Sequence, residues 1–185
     1  MLISPIGLYT CVMVLFMCNE VKIKNERTEV KKILITCATR PLGLRVAKLL
    51  SPVFGVEKAT SDDVPSVLSS SYSKIPKGAN PIYAHEMLKL ALDKGCQYIL
   101  PLGIDEAKAL AEASVLFDEY GIRVLCPGRE DLADVNYLQD PSKDLQLCLI
   151  NDKKDMLSGQ LFDEAPWDGL CIVSDSGDDF IWIVQ

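Results

Sequence analysis

Histidine occurs once in the 185 residues, at His85. A multi-histidine metal centre is therefore excluded, and a Ser-His-Asp triad has no supporting G-x-S-x-G turn. No C-x-x-C pair links any of the seven cysteines (11, 18, 37, 96, 126, 148 and 171), so neither a zinc ribbon nor a thioredoxin-type redox pair is indicated. Their odd number and wide spacing read as buried, reduced thiols of a cytoplasmic protein. No basic run is long enough to track a phosphate backbone, and the net charge is -7, which argues against nucleic acid as a partner. Aromatics make up only 7%, but hydrophobic residues reach 49% and charged residues 24%, the ordinary globular mix. A chain of this length can bury a sizeable core.

The charge is uneven. Residues 151–185 carry eight of the acids and only Lys153 and Lys154 in return, so this tail holds -6 of the total and residues 1–150 are nearly neutral. At the other end, residues 1–18 are mostly apolar but lack the positive start of a signal peptide, and Pro5 and Gly7 shorten them below a spanning helix. Residues 1–30 thus form an N-terminal extension with three readings: an extra strand, a weak membrane anchor, or a start assigned too far upstream. The third is favoured, because a recognisable domain begins at Lys31; membrane attachment is not expected.

From Lys31 onward, strands and helices alternate. Residues 31–37 (KKILITC) read as a central parallel strand buried on both faces. The loop 38–43 leads into a helix with Leu44, Val46, Ala47, Leu49 and Leu50 on its apolar face, stopped by Ser51-Pro52. A second strand is expected over 56–61, a serine-rich loop over 66–71 and a short third strand over 72–75. Asn80-Pro81 reads as the start of a helix in which Ile82, Met87, Leu88 and Ala91 share a face, ended by Gly95. A buried strand at 96–102 precedes one helix from Asp105, its expected N-cap, to Gly121, with Ala107, Leu110, Ala111, Ser114 and Val115 inside. Another strand follows at 122–126. Beyond Pro127 a short helix at 130–138, a strand at 145–150 and an antiparallel hairpin of 169–173 with 180–184 are expected. The fold predicted is α/β: a Rossmann-like, doubly wound parallel sheet over 31–128, then an acidic C-terminal extension over 129–185 with a β-hairpin. That hairpin could extend the sheet or form the edge of a homodimer.

In a sheet of this class, ligands bind beyond the C-terminal strand ends. The candidate binding residues are therefore Thr39, Arg40 and Gly43 for an anion at a helix N-terminus, with Asp62, Gly103 and Asp105 for polar groups. A tight turn with Gly43 present only for close packing is the competing reading. Asp105-Glu106 are neighbours along a helix and do not face one another, so they read as first-turn acids favoured by the helix dipole. His85 reads as a helix residue without a chemical role. Asp175-Ser-Gly-Asp-Asp179 lacks the spacing of a calcium loop and reads as a hairpin turn. No catalytic residue and no metal site is predicted.

Two resemblances bear on function. Thr36-Cys-Ala-Thr-Arg-Pro-Leu-Gly43 partly resembles the T-G-A-T-G-x-L-G turn of short-chain dehydrogenases, with Asp62 and Asp63 about where a ribose-binding acid would lie. Cys37 and Arg40 replace its first two glycines, and none of the six tyrosines has a lysine four positions on, so the resemblance implies NAD(P) binding rather than hydride transfer. The second covers about half the chain. KKILITCATRPLGLRVAKLL and YSKIPKGANPIYAHEMLKLALDKGCQYILPLGIDEAKALAEASVLFDEYGIRVLCPG together resemble the N-terminal pre-ATP-grasp domain of carbamoyl-phosphate-synthase-like ATP-grasp ligases. The ATP-grasp module would follow Pro127, yet only 57 residues remain after Gly128, without a glycine-rich phosphate lid or a paired Glu/Asn set for magnesium. The resemblance implies a stand-alone, non-catalytic domain that binds a small anionic or polar molecule or a partner protein. ATP enters only with an ATP-grasp partner chain that completes a split ligase in trans.

Overall fold

The structure, a computed structural model, describes residues 30–185, of which Lys31–Gln185 form one compact unit. The readings made for the N-terminal extension lie outside the described residues. No helix among the described residues is long and apolar enough to cross a membrane.

Strand β1 (Lys32–Ile35) is short, and its Ile33, Leu34 and Ile35 are fully buried. Burying each such side chain contributes about 1.5–3 kcal/mol, which makes β1 the centre of the domain. It pairs in parallel with β2 (Gly55–Thr60) on one side and β4 (Tyr98–Leu100) on the other. The outer strands β3 (Ser73–Lys74) and β5 (Arg123–Val124) complete a parallel five-stranded sheet of order β3-β2-β1-β4-β5. The strand order reverses between β1 and β4, the topological switch point of a Rossmann-like α/β fold.

The two faces of the sheet are covered differently. Ile33 and Ile35 point to the face covered by helix α1 (Pro41–Leu50) through Leu42, Val46 and Leu50. Leu34 and Ile99 point to the opposite face, covered by α2 (Tyr83–Lys94), α3 (Ile104–Glu112) and α4 (Ser114–Glu119). Gly95 ends α2 in the left-handed conformation, as the sequence suggests. Helix α2 itself begins later than Asn80: the Asn80 side chain accepts from the Ile82 N–H at 3.1 Å and its carbonyl from Tyr83 at 2.9 Å, closing a turn ahead of the helix. Tyr83 is therefore the buried residue, and Ile82 faces outward. The helix expected from Asp105 to Gly121 is two helices meeting at Ala113, with Gly103 rather than Asp105 as the first cap. Its inner face ends on Phe117, seven residues and two turns after Leu110, while Val115 is exposed.

The C-terminal extension builds a second five-stranded sheet. Residues 130–138 form no α-helix: a 3₁₀ turn at Asp131–Ala133 leads into β6 (Tyr137–Gln139). The remaining strands are β7 (Cys148–Asn151), β8 (Lys154–Asp155), β9 (Gly169–Val173) and β10 (Phe180–Val184), in the order β6-β10-β9-β7-β8. β9 and β10 are the expected antiparallel hairpin, with 174–179 as its turn. Both of its strands are interior, since β10 also pairs with β6 and β9 with β7. Among the described residues, β6 stands at one side of this sheet and β8 at the other, where Lys154 is bridged by Leu161. One face of the second sheet, through Leu149, Leu170 and Ile183, packs into the core beside α1. Its last strand ends at the first sheet, where the Gln185 N–H donates to the Leu102 carbonyl at 2.8 Å.

Candidate functional site

The turn after β1 is held closed by backbone. The Ala38 N–H donates to the Ala59 carbonyl at 3.1 Å and the Arg40 N–H to the Cys37 carbonyl at 3.1 Å. Helix α1 then starts at Pro41, against this turn. A Cβ on Gly43 would lie 2.4 Å from the Cys37 carbonyl oxygen, so only glycine lets the helix approach so closely. Cys37 adopts a left-handed φ of 48°, a conformation that costs a non-glycine residue about 1–2 kcal/mol.

Three polar residues fix the outer side of the turn. Thr39 donates its hydroxyl proton within reach of Asp62 Oδ2 and of Thr60 Oγ1, both at 3.0 Å. Arg40 Nε donates to the same carboxylate at 3.3 Å. The guanidinium, and then the Thr39 hydroxyl, hold the Asp62 carboxyl below the usual carboxylate range. Asp62 lies two residues past the end of β2, so this cluster ties the ends of β1 and β2 together.

Beneath it lies Glu106, which reads from the sequence only as a first-turn acid favoured by the helix dipole. Glu106, in the first turn of α3, is 5% exposed. Its carboxylate accepts the hydroxyl of the fully buried Thr36 and, at 3.4 Å, the thiol of Cys37. Thr36 Oγ1 in turn accepts the Leu102 N–H at 3.0 Å. Burial raises the Glu106 pKa, against the opposing effect of the donated hydrogen bonds. The Cys37 thiol is pushed up to about 12 by burial first and by Glu106 second. The loop before α2 closes over the same point: a Cβ on Gly78 would lie 2.5 Å from the Glu106 amide nitrogen.

A cleft of about 520 Å³ opens here, at the C-terminal ends of β1, β2 and β4. Arg40, Asp62, Gly103 and Asp105, predicted from sequence, all face it, joined by Cys37, Ser61, Lys77, Gly78 and Glu106. The second sheet supplies Gln139 and Gln185 as a far wall. Thr39 supports Asp62 without lining the cleft, and Gly43 is buried in packing, so its place is the tight-turn reading and not an anion contact. Glu106 had one legible signal: it lies four residues before Leu110, on the buried stripe of α3. Lys77, Gln139 and Gln185 had none, because only the tertiary fold brings them there.

The other openings differ in chemistry. A groove of about 600 Å³ between α1 and residues 145–158 is largely apolar, and its one buried acid, Asp155, is saturated by the N–H groups of Leu149, Leu157 and Ser158 and by the Ser158 hydroxyl. His85 is exposed on α2, and the five cysteines among the described residues are free and buried. No group of metal-ligating side chains is present among the described residues. The chain matches no model of a known protein family and no curated protein sequence.

Proposed function

We propose that residues 31–128 are a cytoplasmic, pre-ATP-grasp-like binding domain, extended by residues 129–185, that takes a small anionic or polar molecule in the cleft between Arg40, Lys77 and Glu106 and carries out no reaction by itself. The supporting observation is the convergence of three strand-end loops on one pocket holding a buried carboxyl and two cations. Its volume lies within the range of small-molecule sites. Lys77 and the Arg40 side chain favour the anionic part of the ligand, and Asp62, Asp105 and Gly103 offer acceptors and backbone for the rest. An ATP-grasp partner chain would dock beside this cleft and supply ATP chemistry in trans; co-purification with such a chain tests that extension. The isolated chain is expected to show no ATP turnover. ATP hydrolysis that disappears in Arg40→Ala contradicts the reading.

A second reading, NAD(P) binding, is favoured by two observations: Asp62 lies just past the end of β2, where a ribose-binding acid belongs, and Cys37 is left-handed where dinucleotide-binding turns carry glycine. Against it, Arg40 stands where a pyrophosphate needs bare backbone, and Gln139 and Gln185 wall the cleft beyond β4. Tryptophan-fluorescence titration with NADH and NADPH separates the two readings. Micromolar binding that Arg40→Gly tightens establishes the dinucleotide; no binding by either protein favours the small-ligand domain.

A further inference from the structure

We infer that the floor of the cleft reads an ammonium group, and that its ligand is a small zwitterion of the α-amino-acid kind, with the amine on Glu106 and the acid group toward Lys77. The inference rests on the reading of the cleft as a ligand site and names the class of molecule it takes.

The first observation is the kind of partner Glu106 has. Its carboxylate receives a hydroxyl and a thiol, both neutral, and among the described residues it forms no ion pair. Arg40, the cation on the same turn, is bonded to Asp62. A nearly buried carboxylate without a cation is a costly arrangement that a cationic ligand group relieves.

The second observation is that the cleft holds further acceptors. The side-chain oxygen of Gln185, which lines the cleft, is buried and receives no hydrogen bond among the described residues. Asp105 adds a second carboxylate on the exposed rim. A hydroxyl brings one donor to such a site, whereas an ammonium brings three donors and the missing positive charge.

The third observation concerns the loop that closes over Glu106. Lys77 is exposed and forms no ion pair among the described residues, so the cleft has a cation for an acid group as well as acceptors for an amine. These groups together are complementary to a molecule carrying both charges. The glycines at 78 and 103 keep side chains off Glu106: a Cβ on Gly103 would sit 3.2 Å from its Oε2.

The test is isothermal titration of the full chain with each of the twenty standard amino acids, with the α-hydroxy acid of matching side chain, and with inorganic phosphate. At least one amino acid is expected to bind, and its α-hydroxy counterpart roughly ten-fold or more weaker. Glu106→Gln is expected to weaken the amino acid by about the same factor. Asp105→Asn, on the exposed rim, should weaken it roughly two- to three-fold with an unchanged melting temperature, which separates ligand reading from folding. Equal binding of the hydroxy acid overturns the inference, as does wild-type affinity in both variants. Phosphate binding that depends on Lys77, with no amino acid bound, removes the amine assignment and leaves the ligand site standing. No binding by any probe removes both.

Discussion

The hydroxyl of Thr36, one residue past β1, donates to the carboxylate of Glu106 in the first turn of α3, seventy residues further along the chain. The same oxygen accepts the Leu102 N–H from the end of β4. One side chain thus ties together the two strands that flank the switch point. Thr36→Val keeps the shape but leaves a buried N–H and a buried carboxyl short of a partner. We expect it to lower stability by about 1–3 kcal/mol, read from urea unfolding. A change within a few tenths of a kcal/mol would show that the bond contributes little.

Glu106 makes stability depend on pH in a defined direction. Burial raises its pKa in the folded chain, so the folded state holds the proton more tightly than the unfolded one. Stability from this group is present below the ordinary glutamate range and is lost as pH rises through the folded value. Glu106→Gln removes that loss. Unfolding midpoints of the two proteins should therefore shift in favour of the variant as pH increases from the acid range to neutrality. A difference that stays constant with pH contradicts the assignment.

Cys37 offers a test of backbone strain. With φ at 48°, its Cβ is unfavourable whatever the side chain carries. Cys37→Ala and Cys37→Gly both delete the thiol donated to Glu106, but only glycine relieves the backbone. The glycine variant is expected to be more stable than the alanine variant by about 1 kcal/mol, despite the greater freedom of glycine in the unfolded chain. The opposite order would place the turn in an unstrained conformation.

Arg40 and Asp62 form an exposed pair whose main effect is on titration. Arg40→Ala removes the larger of the two hydrogen bonds that depress the Asp62 pKa and leaves the one from Thr39. The Asp62 pKa, followed by carboxyl-carbon NMR, should rise toward the ordinary aspartate range. Stability should change by at most about 1 kcal/mol, because both partners are substantially solvated.

The parallel sheet was legible because its strands are apolar runs set between helices with clear faces. Ile33, Leu34 and Ile35 have no polar alternation, which marks a strand covered on both sides. The second sheet was only partly legible. Its hairpin has two apolar runs around a glycine-containing turn, but β6 is a three-residue strand, Tyr137–Gln139, with every side chain exposed, and carries no periodic signal. Of the site, Arg40, Asp62, Gly103 and Asp105 followed from position alone, at strand ends of a known topology. Glu106 did not, since an acid in a first helical turn is ordinarily solvated and favoured by the helix dipole. Its burial depends on Thr36, Cys37 and Gly78, which come from two distant loops. Gln185 reaches the cleft because β10 runs on to the Leu102 carbonyl, a contact between separate sheets that no local pattern encodes.

The claim that this cleft is a binding site for a small charged molecule is tested most directly by amide NMR of the ¹⁵N-labelled full chain, titrated with inorganic phosphate and the twenty standard amino acids. Saturable shifts gathered on the loops around Cys37–Arg40, Ser61–Asp62, Lys77–Gly78 and Gly103–Glu106, together with Gln139 and Gln185, are the predicted result. Saturable shifts centred elsewhere, or none at all with these probes, would contradict the account.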